Sequence, residues 1–171
     1  LIGTTLFSHF LTTLDYPRGE LVLRKKEAPF APSGVRVPFW MAGDHFMVGW
    51  GQVDTQPPSL MFVDTGLIGA GVKLGETMLK AARIKLETDK AQTGAGAGGT
   101  LRTVPYTVRT VSFGAVRETE VPGLYDGPFP WEHLFGFYLA GMLGHDFYRP
   151  YAVTFDFDRM EIDLARGGGA P

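Results

Sequence analysis

The sequence predicts a mostly β fold, on three observations. Gly 23 and Pro 12 together make 35 of 171 residues, which punctuates the chain with turns. Apolar residues fall in short runs, several of them alternating with polar ones, as half-buried strands require. Helical spacing recurs in one stretch, Glu76–Arg83, where Met78, Leu79 and Ala82 are apolar and Thr77, Lys80 and Arg83 polar.

The elements follow in order. Leu11–Tyr16 alternates, Pro17-Arg18-Gly19 is a turn, and Leu21–Leu23 is apolar again, so a hairpin is expected. Residues 25–34 contain Ala-Pro-Phe-Ala-Pro-Ser-Gly and form a linker. Val35–Met41 and Phe46–Val53 read as strands around a Gly43-Asp44 turn. Ser59–Val63 is nearly all apolar, the pattern of a strand covered on both faces. Gly94-Ala95-Gly96-Ala97-Gly98-Gly99 reads as a flexible tip. Val104–Val111 and Ala115–Val121 are strands, Tyr125–Trp131 a Pro/Gly-rich loop, and Tyr151–Phe157 and Met160–Leu164 closing strands. His145-Asp146 opens a helical turn, with Asp146 expected as its cap.

Composition excludes several classes. A net charge of −2 supplies no basic field for nucleic acid or an anionic membrane surface. Without cysteine there is no disulfide, thiolate metal site, iron–sulfur cluster or Cys nucleophile. No apolar run is long enough to span a bilayer. The N-terminal Leu-Ile-Gly-Thr-Thr-Leu-Phe has neither the basic start nor the small-residue cleavage site of a signal peptide. The chain begins at Leu1 and reads as part of a longer polypeptide.

An internal repeat organises the sequence. Leu1–Arg24 lies over Met142–Ala165 without a gap. Gly3/Gly144, Thr13/Thr154, Asp15/Asp156, Arg18/Arg159, Glu20/Glu161 and Leu23/Leu164 are identical, and most other pairs keep their character. Two similar units offset by 141 residues are implied, with residues 1–24 the last strands of one, 25–34 a linker, 35–166 the whole of the next, and 167–171 a tail or linker.

The chemistry-bearing motif is Asp64-Thr65-Gly66, placed directly after the apolar strand. An aspartate there must be solvated, hydrogen-bonded or paired. A hairpin precedes it, the glycine-rich tip Gly94–Gly99 follows, and Met142-Leu143-Gly144 stands near the C-terminus ahead of Thr154-Phe155-Asp156. In that order these parts resemble the retropepsin-like aspartic proteases. The resemblance spans 35–166 as one lobe, closed and barrel-like with a ψ-loop, and 1–24 as the tail of another. It implies an aspartic endopeptidase acting on polypeptide, with no cofactor and no metal. Asp64 would be the catalytic carboxylate, Thr65 and Gly66 its supporting loop, residues 94–99 a flap over the substrate, and Met142-Leu143-Gly144 the ψ-loop.

Such an enzyme needs two carboxylates, because a close pair shares a proton and divides into acid and base. The chain contains one Asp-Thr-Gly, so the partner aspartate must come from a preceding lobe or a second copy in a homodimer. Leu67 and Ile68 follow the motif where the family has a small residue and then Ser or Thr, and Ile68 has no hydroxyl to offer the carboxylate. A competing reading makes Asp64 a turn residue closing a strand. A further alternative is a peptide-binding or assembly module of the same fold that does not cut. The glycine-rich tip matches G-x-G-x-x-G, but a strand-like segment follows where a dinucleotide site needs a helix. His9, His45, His133 and His145 lack metal-ligand spacing. Ser8, Ser33, Ser59 and Ser112 lie in no G-x-S-x-G context. Trp40, Trp50 and Trp131 read as core or lobe-surface residues rather than cofactor stackers.

Overall fold

The computed structural model describes residues 3–96 and 99–167. The fold is mostly β, built from two sheets. Thirteen strands, three short α-helices and one 3-10 helix (Thr88–Lys90) are present among the described residues. Sheet one has the order β2-β1-β12-β13-β3, from β1 (Leu11–Asp15), β2 (Glu20–Arg24), β3 (Val35–Pro38), β12 (Tyr151–Asp156) and β13 (Glu161–Arg166). Sheet two runs β4-β5-β6-β11-β7-β10-β9-β8. Its strands are β4 (Trp40–Ala42), β5 (Phe46–Val53), β6 (Ser59–Val63), β7 (Val72–Leu74), β8 (Gln92–Gly96), β9 (Gly99–Phe113), β10 (Val116–Tyr125) and β11 (Leu139–Leu143). A further pairing of β5 with β9 closes this sheet into a ring.

The expected strand Val35–Met41 is divided between the sheets. Phe39, fully buried, is the corner, with β3 on one sheet and β4 on the other. Strands β9 and β10 run longer than expected, because Pro122-Gly123 reads as a break but lies inside β10. The ring of Tyr106 lies over Gly123 so closely that a Cβ there would overlap it. The Tyr106 hydroxyl accepts from the Leu74 amide at 2.8 Å, tying this hairpin to β7. The tip also differs from expectation. Gln92–Gly96 is a true strand, paired with β9 from Gln92↔Thr103 to Gly96↔Gly99; Ala97 and Gly98 lie outside the described residues.

Helix α2 (Glu76–Ala81) ends before Arg83, which takes a positive φ of 53° while Ile84 closes back on the Leu79 carbonyl at 2.9 Å. Helix α3 (His145–Tyr148) is capped by Gly144 rather than Asp146. The Asp146 side chain instead lies 3.7 Å from Arg149. The main core fills the ring with Met61, Leu74, Phe113, Leu143 and Phe147 and continues to Phe155, Ile162 and Leu164 of sheet one. No helix among the described residues is long and apolar enough to cross a membrane.

The sequence repeat has a geometric counterpart. Helices α1 (Thr4–Phe7) and α3 (His145–Tyr148) are 141 residues apart at both ends. Each begins after an extended glycine, Gly3 and Gly144. All five β1–β2 pairs, from Leu11↔Arg24 to Asp15↔Glu20, recur in β12–β13 from Ala152↔Ala165 to Asp156↔Glu161. The turns match too: Arg18 N donates to Asp15 at 3.1 Å, and Arg159 N to Asp156 at 2.9 Å. Strands β1 and β12 pair antiparallel with Thr13 opposite Thr154, and the two hydroxyls share a hydrogen bond of 2.8 Å. Equivalent residues face each other there, so a local two-fold axis passes between them.

Candidate active site

The ring places Asp64 at the end of β6, beside the end of β11. These strands run parallel, with Phe62 opposite Met142 and Val63 opposite Leu143. A parallel pair inside a largely antiparallel ring brings two strand ends together, and loops leaving them meet at one point. The Asp64 amide donates to the Leu143 carbonyl at 2.9 Å. Three more backbone bonds fix the loop beyond it: Gly144 N to Gly71 O at 2.8 Å, His145 N to Leu67 O at 2.9 Å, and Asp146 N to Ala70 O at 3.1 Å. Asp64 and Met142-Leu143-Gly144, far apart in sequence, are thus one structural unit.

Gly144 has to be glycine here. A Cβ would press into the Ala70 carbonyl oxygen and meet the Leu67 carbonyl oxygen at 2.9 Å. Inside the loop, Gly66 N donates to Asp64 Oδ1 at 2.9 Å. Asp64 and Thr65 are half-buried and Gly66 is exposed. Ile68, at the family's hydroxyl position, points to solvent with 77% exposure, while Leu67 is half-buried against the smaller apolar cluster.

Asp64, Thr65 and Gly66 face an open cavity of about 1200 Å³. Its apolar side is lined by Phe46, Met47, Phe62, Trp131 and Met142. Behind it the rings of Phe46 and Phe62 stack at 5.0 Å, and Trp131 packs edge-on to Phe129 at 5.7 Å. The opposite wall comes from the N-terminal segment: Gly3, Thr4 and Thr5, with Tyr16 near Asp64. Among the described residues of the glycine-rich hairpin, Gly94 and Gly99 do not line this cavity. Strands β8 and β9 place Gly94, Ala95, Gly96 and Gly99 together on a separate hairpin end.

Two tyrosines that sequence reasoning passed over feel the Asp64 charge, and one of them, Tyr16, lines the cavity. Burial pushes the Tyr16 phenol up to about 12; the Thr65 hydroxyl works against that rise and the Asp64 charge adds to it. Tyr16 also meets the His145 ring edge-on at 4.9 Å. Tyr148 is fully buried, and burial holds its phenol far above the ordinary tyrosine value, with Tyr16 and the Asp64 charge adding to the rise. Its hydroxyl has no hydrogen-bond partner among the described residues. The repeat held the available signal: Tyr148 lies over Phe7 and Tyr16 under Phe157, polar departures from apolar equivalents.

Neither the family models nor the curated proteins yield a match to this sequence. A solved structure does: the retropepsin-like aspartic protease from Rickettsia conorii is 13% identical and aligns over 80% of this chain and 95% of that one, with a TM-score of 0.50. At that identity the likeness is one of fold, and by its fold this chain is similar to the retropepsin-like aspartic proteases.

Proposed function

We propose that this chain carries one half of an aspartic endopeptidase site, with Asp64 as one catalytic carboxylate and a partner aspartate from a second lobe as the other. The observation behind this reading is the placement of Asp64. It is a half-buried carboxylate on a loop pinned by four backbone hydrogen bonds and opening on a large cavity. A turn aspartate that merely closes a strand needs no such seat.

The chemistry follows from a paired carboxylate. The two groups hold one proton between them. The ionised one takes a proton from water as the water oxygen attacks the scissile carbonyl carbon, and the protonated one donates to the carbonyl oxygen. In the resulting gem-diol, proton transfer to the amide nitrogen lets the C–N bond break, giving a carboxylic acid and an amine and returning the shared proton to the pair. Thr65 and Gly66 support the Asp64 loop, and the Gly94–Gly99 hairpin is the candidate flap, closing over an extended peptide.

A second reading, a non-cutting peptide-binding or assembly module, draws on Ile68, which leaves the carboxylate without a hydroxyl donor at that position. Peptide hydrolysis by the longest natural polypeptide containing these residues separates the two. Asp64→Asn keeps the shape and removes the charge, so activity should fall at least about a thousandfold, the scale of losing an essential catalytic group, with the fold intact by circular dichroism. Hydrolysis unchanged in the Asn variant would remove Asp64 from the chemistry.

A further inference from the structure

The local two-fold axis gives the residues from Gly3 to Arg24 counterparts in 144–165, and three of those pairs differ sharply in burial. Leu21 is 42% exposed and Ile162 0%; Leu23 is 40% exposed and Leu164 1%; Leu6 is 41% exposed and Phe147 1%. The same apolar residues are therefore kept on both sides of the axis, but only one side is covered. Strand β13 is covered because β3 pairs with its outer edge, from Glu161↔Pro38 to Leu164↔Val35, and the ring packs beneath it. The outer edge of β2 has no strand beside it among the described residues.

Glycine 3 makes the same point independently. At Gly144 the glycine is required, because the Leu67–Ala70 stretch of the Asp64 loop is pressed against it. At Gly3 the nearest atom to an added Cβ is Thr5 Oγ1 at 4.0 Å. The space in front of Gly3 is the cavity that Asp64 faces from the other side. By the two-fold axis, that space stands where a loop equivalent to residues 64–71 would sit.

A second copy of this chain cannot supply that loop while keeping its own structure. Strand β1 already holds the position across the axis from β12, where the β12 of a symmetric partner would pair, and the Thr13–Thr154 hydrogen bond closes it. The Asp64 loop of a second copy is likewise bound to its own Gly144, His145 and Asp146. We infer that the cavity facing Asp64 and the open edge of β2 are the seat of a lobe of this same fold in the same polypeptide, N-terminal to β1, and that β1 bars a homodimer from completing the site. This inference rests on the proposed catalytic reading but turns on a different observation, the asymmetry in burial across the axis. The incoming lobe pairs a strand antiparallel to Glu20–Leu23, in the register of β3 on β13, and buries Leu6, Leu21 and Leu23.

The test uses hydrogen exchange and sedimentation rather than activity. Residues 1–171 should sediment as a monomer, with the β2 amides that point away from β1 exchanging freely. In the longest natural polypeptide those amides should be protected at least about a hundredfold, as sheet amides are when paired. Gly3→Ala should leave the melting temperature of residues 1–171 unchanged and lower that of the longer polypeptide by several degrees, as Gly144→Ala does in both. A symmetric dimer of residues 1–171, or a head-to-tail polymer through the open edges of β2 and β3, would overturn the inference while leaving the catalytic reading standing. So would a longest polypeptide whose β2 amides remain unprotected. Protection without peptide hydrolysis would keep the inference and remove the catalytic reading.

Discussion

Tyr148 is the residue whose chemistry its surroundings serve least. Its hydroxyl is buried without a partner among the described residues, and its equivalent across the repeat is Phe7. An unpaired buried hydroxyl costs about 1–3 kcal/mol. Tyr148→Phe should therefore raise stability by about 1 kcal/mol, read as a shift in the urea midpoint at constant slope. A loss of that size would mean that the hydroxyl is satisfied in solution, by water or by the Asp64 loop. Asp64 itself was legible in the sequence because a carboxylate directly after Leu60–Val63 breaks an apolar run. Tyr16 and Tyr148 were not. Their one trace was the polar departure from Phe7 and Phe157 in the repeat, which does not say what they will face; only the fold brings both within reach of the Asp64 charge.

At the scale of elements, Asp163 joins the 25–34 segment to sheet one. It sits in β13, 4% exposed, and accepts the Gly34 amide at 3.1 Å. Burial holds its carboxyl above the ordinary range; the Gly34 and Ser33 amides and Arg36 oppose that rise, and Glu161 adds to it. The folded state therefore holds the Asp163 proton more tightly than the unfolded chain. Its contribution to stability is fully present below the unfolded value, about 3.9, and declines as pH rises through the folded one. Asp163→Asn keeps the acceptor oxygen and removes that decline. The variant should gain stability relative to the parent between about pH 3 and about pH 7, the range bracketing carboxylate titration, as measured by thermal midpoints across pH. A constant difference would mean that Asp163 does not titrate within the folded sheet. Element type was largely readable from alternation, and the boundaries were not. Pro122-Gly123 ends a strand by local rule but lies inside β10, because Tyr106 needs the space a side chain would take. Gln92–Gly96 has little strand propensity and forms a strand by pairing with β9.

The whole molecule is a closed ring carrying Asp64, joined through β12 to a segment that repeats α3, β12 and β13. The sequence repeat anticipated this, since Thr13 and Thr154 align at the offset that later places them 2.8 Å apart. What it could not carry was the pairing partner. An ungapped repeat fixes equivalence, but whether equivalent strands pair with each other depends on burial of both faces at once. On the proposed reading, the joining strand bears on how a second carboxylate would reach Asp64, because β1 already fills the place a symmetric partner would take.

The central claim is that Asp64 acts as half of a carboxylate pair completed within one polypeptide. Calorimetric titration of the longest natural polypeptide with a statine-type transition-state mimic tests it most directly. The expected result is one mimic bound per polypeptide, weakened at least about a hundredfold by Asp64→Asn, a loss on the scale of a buried charged hydrogen bond. Binding of one mimic per two polypeptides, or binding unaffected by Asp64→Asn, would contradict the account.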